Sequence, residues 1–219
     1  MNLSPEQIRL IVIHVFVLVA SVAFHEFGHA FMADRLGDDT PRRQGRVTLN
    51  PLAHADPIGT LLLPVLSAAY GGGGFGWGRP VQWQPSRIDR KHRMSTARIL
   101  VAIAGPMMNI VLAVLLTAIN ALLRWKGVIH IGDQVDRILA YAVFTNFILF
   151  FFNLIPAPPL DGGHVAEGLM PYKHRAAFEN YARFGPFILM AVVLIPQLAR
   201  IFILPAMWCG EHLYRLFGM

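Results

Sequence analysis

The sequence predicts an all-α, polytopic membrane protein of about four to six transmembrane helices with a small re-entrant β element. Two observations carry this expectation. Of 219 residues, 55% are hydrophobic and only 15% are charged, whereas a water-soluble domain carries about 25% charged residues. The shortfall is concentrated in long apolar runs separated by basic loops, as expected when lipid is the solvent.

The apolar runs follow in order. Ile8 to Ala33 is the first, long enough to cross about 30 Å of hydrocarbon at 1.5 Å per residue. It lacks the basic leader of a cleavable signal peptide and is expected to belong to the folded chain. Arg98 to Leu123 is the second and Ile138 to Ile155 the third. Phe184 to Leu204 is the fourth, interrupted by Pro186 and Pro196. The tail from Pro205 to Met219 is amphipathic at best and is expected at the membrane interface. Pro57 to Tyr70 is apolar but short, broken by Gly59 and Pro64, and followed by Gly71 to Gly74. Runs of that length more often re-enter than span. With no internal repeat and only short outer loops, residues 1–219 read as one membrane-embedded domain.

Charge gives the orientation. The net charge of +6 comes from basic residues between apolar runs, so it reports topology and not a nucleic-acid partner. The loop from Arg35 to Ala97 carries Arg35, Arg42, Arg43, Arg46, Arg79, Arg87, Arg90, Lys91 and Arg93; the opposite side has only Arg9, Arg124, Lys126 and Arg137. The positive-inside bias puts that loop in the cytoplasm. The single cysteine, Cys209, allows no internal disulfide and reads as a small apolar filler.

Chemistry is concentrated at one end of the first run. His25-Glu26-Phe27-Gly28-His29 is an H-E-x-x-H pattern on a helix. Four residues make about one turn, so both imidazoles share a face and can bind one cation, with Glu26 beside the first as general base. A Glu and two His near the end of an apolar helix are costly in lipid unless paired or metal-bound, which favours a metal site over a solvated polar face. A catalytic zinc site takes three protein ligands. Asp161, in Asn153-Leu154-Ile155-Pro156-Ala157-Pro158-Pro159-Leu160-Asp161-Gly162-Gly163-His164, is the best third candidate. If residues 57–70 re-enter, the exits of the first and third runs share one membrane face and Asp161 meets the histidines there. If 57–70 spans, it does not.

The chain resembles the site-2 proteases, the intramembrane zinc metalloproteases, in a short form. H-E-F-G-H, the Leu154 to Gly162 stretch and Gly105-Pro106-Met107-Met108-Asn109 are similar to three motifs of that family in family order; GRVTLNPLAHADPIGT from Gly45 and FGWGRPV from Phe75 resemble its short subgroup. The resemblance covers nearly the whole chain and shows no PDZ or CBS domain. It implies one Zn2+ per chain on His25, His29 and Asp161, Glu26 as general base, and a transmembrane protein or peptide as substrate within the lipid bilayer of a cell (inner) membrane. It further suggests that the Asn109 amide holds substrate or an oxyanion, with an interhelical hydrogen bond as the other reading. His54 could donate to the oxyanion or simply fix a loop turn. His164 could partner the metal site or start a helix. His14, eleven residues before His25, lies about 16 Å away along the axis, too far to share the ion. Arg46 to Leu49 and Phe75 to Trp83 combine β-favouring residues with glycines, which predicts the small sheet and substrate binding by strand addition. The competing functions are a divalent-metal transporter and a non-catalytic membrane chaperone on a protease-like scaffold. The first would repeat ligands along a pore; the second would have lost Glu26 or a ligand.

Overall fold

The structure, a computed structural model, describes residues 4–69 and 76–219. Tyr70, the glycines 71–74 and Phe75, expected at the end of the re-entrant segment and the start of the β run, lie outside the described residues.

Three helices are long and apolar enough to cross a membrane: α1 (Pro5–Arg35), α5 (Met94–Trp125) and α6 (Gln134–Asn153). A fourth span is obtained if α9 (Gly185–Leu194) and α10 (Pro196–Leu216), bent by 80° at their junction, are taken together. The break falls at Ile195–Pro196 because proline has no N–H for the helical ladder and restricts the residue before it. Val12 and Phe16 on α1 and Leu115 and Leu122 on α5 are exposed, an apolar outer surface suited to lipid. The chain is a multi-pass integral membrane protein.

Local rules account for the helix ends. Ser4 caps α1, its hydroxyl accepting from Gln7 N–H while the Gln7 side chain accepts from Ser4 N–H, with Pro5 at the first helical position. At the other end Gly37 takes φ +107°, a left-handed conformation open to glycine. α1 and α5 pack closely because Gly28 and Gly105 remove side chains from their contact. A Cβ on Gly28 would collide with the Ala104 carbonyl, and one on Gly105 with the His29 ring.

Between α1 and α5 the chain leaves and returns at one end of the bundle. The short helices α2 (Thr40–Arg43) and α3 (Pro51–His54), a π-helical turn (Pro57–Leu62) and α4 (Leu63–Ala69) lie there. The last two together reach about 20 Å, short of a crossing. After α6 the prolines 156, 158 and 159 end the helix and α7 (Asp161–Leu169) begins, followed by α8 (Arg175–Ala182). Gly162 sits against the Leu154 and Ile155 carbonyls, where a side chain has no room. This folds the head of α7 back onto the end of α6.

Two expectations are corrected. Among the described residues the fold is all-helical, and no strand forms from residues 46–49 or 76–84. Residues 76–84 run irregularly up to the 3-10 turn at Pro85, and four of their N–H groups find partners outside any strand. Trp77 N–H donates to the Gly59 carbonyl, Arg79 N–H to the His54 carbonyl, Val81 N–H to Glu26 Oε2 and Gln84 N–H to Asp38 Oδ2. β-favouring side chains cannot make a sheet without a neighbouring strand. The tail is also not a free interfacial segment. α10 continues through Pro205, and Ala206 is fully buried against Ala113 of α5 and Val143 and Phe147 of α6, with Cys209 and Leu213 packed beside them. One face of the tail packs on protein, while Met207, Trp208 and Leu216 stay exposed.

Candidate metal centre

α1 delivers His25, Glu26 and His29; the head of α7 delivers Asp161. The structure brings one donor atom from each of His25, His29 and Asp161 to within 4.8 Å of one another. His25 Nε2 lies 3.1 Å from His29 Nε2 and 3.1 Å from Asp161 Oδ2, and His29 Nε2 is 3.4 Å from Asp161 Oδ1.

Hydrogen bonds on the far side of each ring decide what these nitrogens can do. His29 Nδ1 is 2.7 Å from the Val101 carbonyl, which can only accept. His25 Nδ1 is 2.8 Å from Asn109 Oδ1. The amide orientation of Asn109 follows from a chain of constraints. Asn146 Nδ2 must face the Ala142 carbonyl, at 2.9 Å, so Asn146 Oδ1 faces Asn109. Asn109 Nδ2 then donates to Asn146 Oδ1 and to the Ser21 carbonyl, leaving Oδ1 for His25. Both imidazoles therefore carry their proton on Nδ1 and turn an Nε2 lone pair toward the other ring and toward Asp161.

Two lone pairs and a carboxylate at these separations repel one another unless they surround a cation. Asp161 Oδ2 is moreover buried with no hydrogen-bond donor. Two neutral imidazoles and one carboxylate are a donor set that suits zinc, and three protein ligands is the number used by catalytic zinc sites. The geometry also needs Gly105, since a Cβ there would sit 2.9 Å from His25 Cε1.

Beside this cluster is a cavity of about 680 Å³. Its walls include Val22, Val101, Ala102, Leu149 and Phe152 from the membrane helices, and Gly76, Trp77, Gly78, Pro80 and Val81 from the extended segment. Glu26 lines it next to His25 and is held by Val81 N–H at 3.1 Å.

The remaining sequence candidates fall elsewhere. Asn109 is fully buried behind His25 and does not line the cavity, so it acts on the imidazole and has no access to substrate. His54 is buried, its Nε2 bonded at 2.9 Å to the Thr48 carbonyl, and is also absent from the cavity wall. It secures the loop and is not placed to reach an oxyanion. His164 lines the cavity near Glu167, which pairs with Arg98. His14 stacks on Tyr141 at 4.4 Å between ring centres. Sequence reasoning missed Ser21, Asn146 and the Val101 carbonyl, which orient the imidazoles, and Asn153, which lines the cavity with its Nδ2 bonded to the Leu149 carbonyl. Polar residues in the middle of apolar helices were the available signal.

Partners that orient a metal-binding histidine commonly contribute 10–100-fold in metal affinity. Asn109→Ala is expected to weaken zinc binding by about that factor, measured by competition with a chromophoric chelator, with helix content unchanged. Unaltered affinity would reduce Asn109 to a packing residue.

The comparisons with known proteins agree with this chemistry. The model of peptidase family M50 matches residues 13–132 and 125–196. The chain is 36% identical over 208 residues to "Putative zinc metalloprotease YwhC" of Bacillus subtilis, covering 93% of this chain and 90% of that protein. It is 32% identical over 209 residues to "Putative zinc metalloprotease Rip2" of Mycolicibacterium smegmatis, covering 89% of this chain and 73% of that protein. No solved structure matches the chain. The paired imidazoles and buried carboxylate thus sit in a sequence matched along most of its length by zinc metalloproteases, and the chain belongs to peptidase family M50, the site-2 protease family.

Proposed function

We propose that this metalloprotease is an intramembrane endopeptidase that hydrolyses peptide bonds in or near transmembrane segments, with zinc on His25, His29 and Asp161 and Glu26 as general base. The observation that carries the reading is the convergence of two imidazole lone pairs and a buried carboxylate beside Glu26, in a cavity walled by membrane helices. Zinc, when bound there, polarises the scissile carbonyl and lowers the pKa of water to about 7. Glu26 takes the proton of the attacking water and returns it to the leaving amine. The Val81 N–H holds one Glu26 oxygen and keeps the carboxylate at the cavity.

A helical peptide bond is protected by its own hydrogen bond, so the substrate must be unwound before cleavage. The extended segment offers an alternative partner. Trp77, Arg79 and Val81 turn their N–H groups to the scaffold, while the backbones of Gly78 and Gln82 make no hydrogen bond among the described residues. An extended substrate pairs with that edge by strand addition. The basic loop supports a site at the cytoplasmic face of the cell membrane. A transport path would require further ligand clusters, and His25, His29 and Asp161 form the only such group among the described residues.

The test uses the full chain in liposomes with single-span peptides as substrates. Cleavage within or beside the span is expected, abolished by a zinc chelator and restored by Zn2+. Cleavage of soluble peptides alone, with every single-span peptide left intact, would overturn the intramembrane reading.

A further inference from the structure

Next to the active-site cavity lies a second cleft, of about 410 Å³, lined by Gln44, Arg46, Arg79, Pro80 and Gln82. Its polar walls are guanidinium and amide groups, with no carboxylate among them. Arg46 is only 6% exposed. Its Nη1 donates to the Ala53 carbonyl at 2.6 Å and, at 3.4 Å, to that of Arg79, while its Nη2 and Nε have no partner among the described residues. Among the described residues neither Arg46 nor Arg79 has a carboxylate within ion-pair distance. In the same loop Arg42 pairs with Asp34, and Arg43 and Arg87 with Asp39.

A guanidinium stays protonated, and with Arg79 beside it the free Arg46 donors face the cleft without a counter-ion. Burial first, and then Arg79, push Arg46 below its usual range, with Glu26 opposing them in part. A carboxylate entering the cleft would relieve both, and the planar fork of donors fits it in bidentate fashion. Pro80 lines both this cleft and the active-site cavity, and Gln82 next to it belongs to the extended edge. A chain laid along residues 78–82 therefore reaches the two arginines within a few residues of the cavity.

We propose that Arg46 and Arg79 form a specificity subsite for an acidic side chain of the substrate, flanking the scissile bond on the face that carries the basic loop. This deepens the peptidase reading and rests on it.

The test separates the two. Full-length Glu26→Gln protein is placed in zwitterionic phosphatidylcholine nanodiscs and titrated with labelled single-span peptides whose flank is acidic (Glu), neutral (Gln) or basic (Lys). The acidic peptide is expected to bind about tenfold more tightly than the neutral one at low salt. That advantage should vanish near 1 M salt, where the screening length falls to about 3 Å. Arg79→Glu, an exposed position, should abolish the acidic preference and make the basic peptide the tightest, whereas a misfolded variant would bind none. Equal binding of all three peptides, or the same preference after Arg79→Glu, overturns the subsite. So does loss of co-purified anionic lipid in Arg79→Glu with flank-independent peptide binding, which would make the cleft a lipid site. Cleavage by the Glu26 protein is measured in parallel. One rate for all flanks keeps the peptidase and removes the subsite; flank-dependent binding without cleavage keeps the subsite and removes the peptidase reading.

Discussion

Glu26→Gln is expected to retain wild-type zinc content while peptide cleavage falls by about 10²–10⁴-fold, the range for losing a positioned general base. The substitution is nearly isosteric. The amide oxygen can still accept from Val81 N–H, the contact that holds the carboxylate at 3.1 Å, so the extended segment keeps its attachment to α1. The capacity to accept a proton is lost. Because Glu26 is not one of the three clustered donors, metal affinity and catalysis should separate in this variant. Metal analysis of the purified protein and single-turnover cleavage in liposomes check both halves. Wild-type cleavage in the variant would rule Glu26 out as the base.

Asp161→Ala should have the opposite signature, with zinc and cleavage lost together. Asp161 Oδ2 is buried and without a hydrogen-bond donor, 3.1 Å from His25 Nε2, and alanine leaves two imidazoles to hold a divalent ion. Affinity should fall by more than the 10–100-fold attributable to an outer partner such as Asn109. Dialysis that leaves about one zinc per wild-type chain should therefore strip the variant. A second readout needs no activity. A ligand that binds only the folded state stabilises it by about 2.7 kcal/mol at one hundred times its Kd, so zinc should raise the Tm of metal-free wild type and not that of Asp161→Ala. An equimolar zinc content in the variant would remove Asp161 from the ligand set.

The parts of the fold readable in the sequence were those governed by local spacing and by the solvent. Long apolar runs identified the spans, since lipid leaves few other structures for such segments. The four-residue interval between His25 and His29 put two imidazoles on one face, because helical periodicity is a property of the element alone. The proline cluster and Asp161-Gly162-Gly163 marked the end of α6. Reading residues 46–49 and 75–83 as a small sheet went wrong because β-favouring side chains describe a half-buried environment and do not supply a partner strand. For the tail, an amphipathic stripe says that something covers it without naming protein or lipid, and the contacts with α5 and α6 come only from the packed structure.

By itself, then, the sequence determined a polytopic helical protein with an H-E-x-x-H pair and a candidate third carboxylate, since each rests on composition or on intervals within one element. Only the tertiary structure decided that Asn146 and Ser21 orient Asn109 against His25, that His54 turns away from the cavity, and that Arg46 and Arg79 share a cleft. The contacts among Ser21, His25, Asn109 and Asn146 and between Arg46 and Arg79 join residues 33 to 125 positions apart. At such separations nothing in local spacing links the partners, and packing of whole helices and loops alone brings them within hydrogen-bonding distance.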